Sequence, residues 1–454
     1  MAVTKVSGVD MNGLELILDA DADTSITADT DDQIDIRIAG ADDFQFTANK
    51  FTVATGSEIV TSSAGTSNTR LGVNAGNSIA SGGNYNVTIG DESGTALTTG
   101  DDNVAVGFEA LATEDTGTRS VAVGYRALKT QNNDSTNYNV AIGYDAGLSI
   151  TTGTQNVLIG GKTGDALTTG TDNVAIGRAA LTTDTTGDKS VAVGMNALAT
   201  QNHTDGTDAY SVAVGYAAGT AITTGVRNTF IGGLAGDATT TGAYNTAVGT
   251  SSLGTNTTAS YNTAVGWNSL YANTTGVNNV AVGYGALDAN TTANNNTALG
   301  MNALTANTTG TRNVAIGASA LQTITTASYN VGVGNDVLGA NTSGASNTAV
   351  GDQALAANTT GTKNVAVGKD ASIAITTGDQ NTSLGARSLQ ATTTADHNTA
   401  IGEAALYANT TGANNVAVGS QALVANTTAN YNTAVGKSAI ETNTTGHNNS
   451  GLGV

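Results

Sequence analysis

The sequence predicts an all-β solenoid, a parallel β-roll or β-helix of 17-residue coils, and three observations predict it. Glycine recurs at a fixed spacing: from Gly249 through Gly266 and Gly283 to Gly453 the step never changes. Each of these glycines closes the phrase Asn-(Val/Thr)-Ala-(Val/Ile/Leu)-Gly or a close variant, as in Asn245-Thr246-Ala247-Val248-Gly249. Seventeen residues are too few for a strand-helix unit with its connections, and a short fixed period marks a stacked-repeat architecture.

The beat extends backward to Gly72 with three slips. Of its 22 intervals 19 keep the common step; the others are 18 (from Gly72), 19 (from Gly124) and 21 (from Gly194). The two larger insertions lie around Gln131-Asn132-Asn133-Asp134 and Gln201 to Gly206. They fall in the same part of the coil, so Asn133, Asp134, His203 and Asp205 are expected in exposed loops on one edge. A larger duplication is also visible: the coils from Asn103 to Gly170 resemble those from Asn173 to Gly242. The chain thus divides into an N-terminal segment, residues 1–67, and a shaft of about 22 coils, residues 68–454.

Within a coil, the Asn-(Val/Thr)-Ala-(Val/Ile/Leu) phrase reads as a short strand by its period of two and its β-branched residues. Ala-Leu-x-Ala reads as a second, weaker strand, and Asn-Thr-Thr-Gly or Asn-Thr-Thr-Ala as a turn. The residue before the glycine is always Val, Ile or Leu, which suggests that it points inward. The residue between then points outward, and it is nearly always Ala. Ala247, Ala264, Ala281, Ala298 and Ala315 are therefore the expected contact column for a second chain, in a parallel homotrimer. Stacking aligns Asn245, Asn262, Asn279, Asn296 and Asn313 in one column and Asn256, Asn273, Asn290 and Asn307 in another, where side chains can bond along the stack.

Composition narrows the function. Only 4% of residues are aromatic, with one Trp, Trp267, and the chain has no Cys and no Pro. A thin Ala/Val/Leu core is a second reason to expect association. An uninterrupted ladder suits a chain without proline, which lacks the N–H donor. Net charge is −20, which argues against nucleic-acid binding. The start, Met1 to Asp10, has no basic stretch leading into an apolar run, so no secretory signal is read. No apolar run is long enough to span a membrane.

The N-terminal segment lacks the beat. Leu14–Leu18, Gln33–Ile38 and Asp43–Thr47 are expected strands of a small acidic β element that attaches or caps the shaft. Asp19, Asp21 and Asp23 imitate the start of a calcium loop, but the sixth position is Thr24 and the twelfth Thr30, so a solvated acidic turn is expected. His203, His397 and His447 have no ligand-spaced companions. The Asn-Thr-Thr sequons at Asn256, Asn273, Asn290, Asn307, Asn358, Asn409, Asn426 and Asn443 read as repeat chemistry rather than glycosylation sites. Gly160-Gly161-Lys162-Thr163-Gly164 lacks phosphate-loop spacing. No nucleophile-base pair and no carboxylate dyad stands out, so neither an enzyme nor a cofactor is expected.

The phrase Asn-(Thr/Val)-Ala-(Val/Ile)-Gly followed by x-x-Ala-Leu resembles the head repeats of trimeric autotransporter adhesins, over residues 68–454 and with a somewhat longer period. That resemblance implies a trimer of left-handed parallel β-rolls. The segment from Leu18-Asp19-Ala20-Asp21 through Ala41-Asp42-Asp43-Phe44 is similar to the start of tail-fibre proteins of marine tailed phages. This resemblance implies a virion fibre, assembled in the host cytoplasm. Its partners would be its own copies, a baseplate or tail protein at the N-terminus, and a host-surface receptor such as a glycan. Two other classes fit the repeat: a bacterial surface or matrix filament, and an ice-binding solenoid suggested by recurrent Thr. In a strand, the Thr-Thr pair would put neighbours on opposite faces, so no flat Thr array is evident. A solenoid end needs cover. The coil closing at Gly453-Val454 is accordingly expected to be covered by further chain, since removed or still continuing, or by another protein.

Overall fold

The computed structural model describes residues 64–453 and, before them, strand residues 16–17, 25–27, 34–38, 41–47 and 50–53. These strands are β1 (Leu16–Ile17), β2 (Ser25–Thr27), β3 (Ile34–Ile38), β4 (Ala41–Thr47) and β5 (Lys50–Val53), in an antiparallel sheet of order β1-β2-β3-β4-β5. The expected strands at 33–38 and 43–47 correspond to β3 and β4. Asp19, Asp21, Asp23, Thr24, Thr30 and Val454 lie outside the described residues, whereas Ser25–Thr27, within the same segment, form β2.

The rest is a parallel β-solenoid of 23 three-residue strands, from β6 (Thr69–Leu71) to β28 (Ser450–Leu452), with no helix among the described residues. Each strand pairs in parallel with the next at matched positions: Thr246, Ala247 and Val248 face Thr263, Ala264 and Val265. The register never slips, even across the two insertions. At ~4.8 Å per strand the ladder runs on the order of 100 Å.

The 17-residue beat has a backbone cause. Gly249 sits at φ 131°, and a Cβ there would stand 2.6 Å from the carbonyl oxygen of Gly266. The other glycines of the series share this region of φ, and all but Gly453, at the end of the ladder, share the close approach, so the chain can turn out of each strand only where no side chain intervenes.

The expected second strand is absent. Residues 284–289 form turns, because Gly285 and Leu287 both take positive φ (59° and 51°) and alternate left-handed residues break the pleat. Backbone bonds still join coils there, with the Leu287 amide donating to Ala303 O at 3.0 Å. A left-handed Leu costs roughly 1–2 kcal/mol, whereas fully burying a Leu side chain contributes about 1.5–3 kcal/mol. Leu287 and its equivalents are fully buried, so packing holds the backbone in this conformation.

The interior reverses the expected strand faces. In nearly every strand of the shaft the central residue is buried and its two neighbours are partly or fully exposed. Ala247, Ala264, Ala281, Ala298 and Ala315 have no exposure in the single chain, so they are core residues and cannot form an intermolecular contact column. The cause is width: a 17-residue coil is narrow, and its strand centre faces the left-handed Leu of the same core.

Three large exceptions to the Ala column show the same constraint, while two small ones, Gly332 and Ser383, keep Leu338 and Leu389 six positions on. Thr88, Leu158 and Phe230 replace Ala, and in each case the residue six positions on, Gly94, Gly164 or Gly236, replaces the usual Leu. A Cβ on Gly94 would lie 2.8 Å from Thr88 Cγ2, and one on Gly164 2.9 Å from Leu158 Cδ2. Coils with glycine at that position often place an aliphatic residue three positions later, as at Gly147 and Ile150, where Leu-bearing coils carry a polar residue such as Asn290. In the coils of Thr88, Leu158 and Phe230 a larger strand centre is thus matched by a smaller residue at the facing turn.

Two asparagine ladders close the polar side of the core, in the expected columns. From Asn245 to Asn449 each Asn backbone amide donates to the side-chain oxygen of the equivalent Asn one coil earlier, for example Asn262 N to Asn245 Oδ1 at 3.0 Å. The same side chains donate Nδ2 to a turn carbonyl, as Asn296 does to Gly310 O at 2.9 Å. In the second column Nδ2 of Asn273, Asn290 and Asn307 donates to Oδ1 of the preceding rung at 3.0, 2.9 and 3.1 Å.

Candidate interaction surface

The strand face turned away from the core carries two columns of side chains. The first positions are Val, Thr or Ser throughout, from Thr69 to Ser450. The third positions are Val, Ile or Leu in all 23 strands, from Leu71 to Leu452, and none is buried. No charge interrupts either column. Leu299 and Leu384, for instance, are nearly half exposed. Parallel sheets are ordinarily covered on both faces, and this one is covered by its own chain on one face only.

In sequence, each three-residue strand lies between two surface positions rich in aromatic residues. After the glycine stand Phe108, Tyr125 and Tyr144, stacked at 5.3 and 5.2 Å between centroids, and Trp267 and Tyr284 at 4.9 Å. Before the buried Asn stand Tyr244 and Tyr261, stacked at 5.0 Å. The Arg227 guanidinium lies between the rings of Tyr210 and Tyr244, 5.7 and 5.5 Å from their centroids, and Lys189 Nζ lies 5.3 Å from that of Tyr210. The parallel repeat produces these stacks by placing equivalent residues one strand spacing apart. Lys189 also pairs with Asp208 at 2.8 Å; that bond raises the Lys189 pKa and lowers that of Asp208.

The insert loops divide into exposed tips and buried bases. Asp134 and Asp205 are exposed and Asn133 is half-buried, as expected of loops. His203 is not: it is 4% exposed, and its Nε2 has no hydrogen-bond partner. The loop turns it inward because its backbone amide donates to the buried Asp184 carboxylate at 3.0 Å.

Buried carboxylates anchor both loops, a feature that the sequence reading missed. Glu114 and Asp184 occupy the column that holds Asn elsewhere. Glu114 accepts from Gly117 N at 2.8 Å, Gln131 Nε2 at 2.9 Å and Asn137 Nδ2 at 3.1 Å. Asp184 accepts from Gly187 N at 3.1 Å and Gln201 Nε2 at 2.7 Å. An acid replacing Asn directly before each insertion was the available signal.

The Thr-Thr pairs stand in bends rather than strands, so the two-face argument does not apply to them. Thr257 is half-buried and donates its hydroxyl to Thr274 O at 3.3 Å; Thr258 is exposed. Seven of the eight sequon asparagines, all but Asn443, are fully buried and inaccessible to modification. Among the described residues no group of three or more His, Cys, Asp or Glu is placed to hold a metal ion, and no helix is long and apolar enough to cross a membrane. No family model matches the chain, and no match is found among curated proteins or solved structures.

Proposed function

We propose that this chain forms the shaft of a virion fibre, a phage tail fibre or similar appendage, in which identical chains pack along their Val/Ile/Leu columns. The carrying observation is that column. Twenty-three partly exposed aliphatic side chains amount to an apolar strip on the order of 1,000 Å², beyond the few hundred Å² usual on monomers and comparable with the ~800 Å² per partner of a standard interface. A strip repeating once per strand over the whole shaft is best matched by a surface with the same repeat, which another copy supplies. Three copies in parallel is the arrangement implied by the resemblance to the adhesin heads.

The role is mechanical and not enzymatic. A continuous ladder is a stiff spacer. The N-terminal segment, residues 1–67, would dock on the particle, and the far end or the tips at Asp134 and Asp205 would meet a host-surface receptor. The test is the mass of the purified native particle by light scattering or analytical ultracentrifugation, with negative-stain images of the same sample. A discrete trimeric rod on the order of 100 Å long supports the reading. A monomer overturns it, and an open-ended polymer replaces it with a surface or matrix filament.

A further inference from the structure

We infer that the base of the second insert loop binds one structural water molecule, between Gln201 Oε1 and Ser211 Oγ. The duplicated block supplies an internal comparison. In the first copy Gln131 donates Nε2 to Glu114 and to Ser120 Oγ at 2.7 Å, and its Oε1 accepts from Asn139 Nδ2 at 2.8 Å. Asn139 also donates to Gly153 O at 2.7 Å and accepts from Asn156 N at 2.9 Å. Every side-chain polar group of Gln131 and Asn139 is matched.

In the second copy Gln201 keeps the same orientation, donating Nε2 to Asp184 at 2.7 Å and to Ser190 Oγ at 2.8 Å. Its Oε1 therefore points where Asn139 has its counterpart. That counterpart is Ser211, one carboxamide shorter. Gln201 Oε1 and Ser211 Oγ are both buried and both without a partner. The backbone groups that an Asn there would bond are the Gly225 carbonyl and the Asn228 amide, which correspond to Gly153 and Asn156 in the first copy.

The ligand follows from these four groups. Two are acceptors, Gln201 Oε1 and Gly225 O; Asn228 N–H donates, and the Ser211 hydroxyl can do so. Water has two donors and two acceptor lone pairs and satisfies all four. Ammonium has no lone pair for Asn228 N–H, and a metal cation would be repelled by it. The Asp184 carboxylate is already occupied by three donors. Exchanging a carboxamide for a hydroxyl releases roughly the ~30 Å³ that one water occupies.

The experiment is a density map of the intact particle that resolves ordered water, for wild type, S211N and N139S. One peak per chain is expected within hydrogen-bond reach of both Gln201 Oε1 and Ser211 Oγ, with none beside Gln131. S211N should lose the peak and slow hydrogen exchange at the Asn228 amide about tenfold; N139S should gain a peak beside Gln131. Absence of the wild-type peak, or a Gln201 side chain turned to another partner, overturns the inference. The wild-type map decides it even if a variant fails to fold, and it does so independently of the oligomeric state.

Discussion

Phe230 and Gly236 occupy one shared space in the core: a Cβ on Gly236 would stand 2.6 Å from Phe230 Cζ. Both belong to a coil whose neighbour fills the same volume with Ala247 and Leu253. The pair makes volume conservation testable. Phe230→Ala alone should cost about 3–5 kcal/mol through the cavity it leaves, and Gly236→Leu alone should also destabilise by overpacking. The double variant reproduces the arrangement of the next coil and should recover most of the loss. A double-mutant cycle by chemical denaturation measures the coupling; additive losses would refute it.

The exposed column should govern association without governing the fold. Replacing Val265, Val282 and Leu299 by Lys should dissociate the particle while leaving the far-ultraviolet circular dichroism of each chain unchanged. Ala281→Leu should do the reverse, disrupting the coil from inside, because Ala281 is fully buried. Sedimentation and circular dichroism on both variants separate the outcomes, and an intact particle from the triple Lys variant would eliminate this face as the interface.

Gly249→Ala should be among the most damaging single changes in the shaft. The residue must abandon φ 131° or press its Cβ against the Gly266 carbonyl. A loss of more than ~1 kcal/mol is expected from φ alone, with faster amide exchange concentrated in the adjacent coils.

Asn296→Ala removes the acceptor of Asn313 N, at 2.9 Å, and the donor to Gly310 O, at 2.9 Å. Two buried backbone groups are left unpaired at about 1–3 kcal/mol each. Denaturant titration should show a loss of that size, and a loss below ~1 kcal/mol would mean that the ladder is not stabilising.

Asp288 gives a pH dependence of defined sign. Partial burial raises its pKa above the ordinary value, and Oδ1 has no partner. The charged form is therefore disfavoured in the folded state, and stability contributed by this group rises as pH falls through its folded pKa. Asp288→Asn should stabilise at neutral pH by less than about 1 kcal/mol, given its solvent screening, and the gain should vanish in acid. Thermal unfolding of both proteins at neutral and acidic pH checks it.

The repeat period, the parallel stacking, the short strand, the asparagine columns and the edge used by the insertions were all legible in the sequence. Each follows from local chemistry repeated in register: a glycine where Cβ cannot fit, an Asn where a backbone amide needs an acceptor. The sequence by itself could not decide which face of a three-residue strand is the inside. Alternation permits either answer, and small Ala fits a close contact on either side. Tertiary structure decided it through volume, since a coil this narrow admits Ala opposite a left-handed Leu and excludes two β-branched side chains. The pairs Thr88 with Gly94, Leu158 with Gly164 and Phe230 with Gly236 carried that answer in the sequence, but their meaning depends on knowing that the two positions touch. The buried His203 was decided in the same way, because only the folded loop brings its backbone to the Asp184 carboxylate.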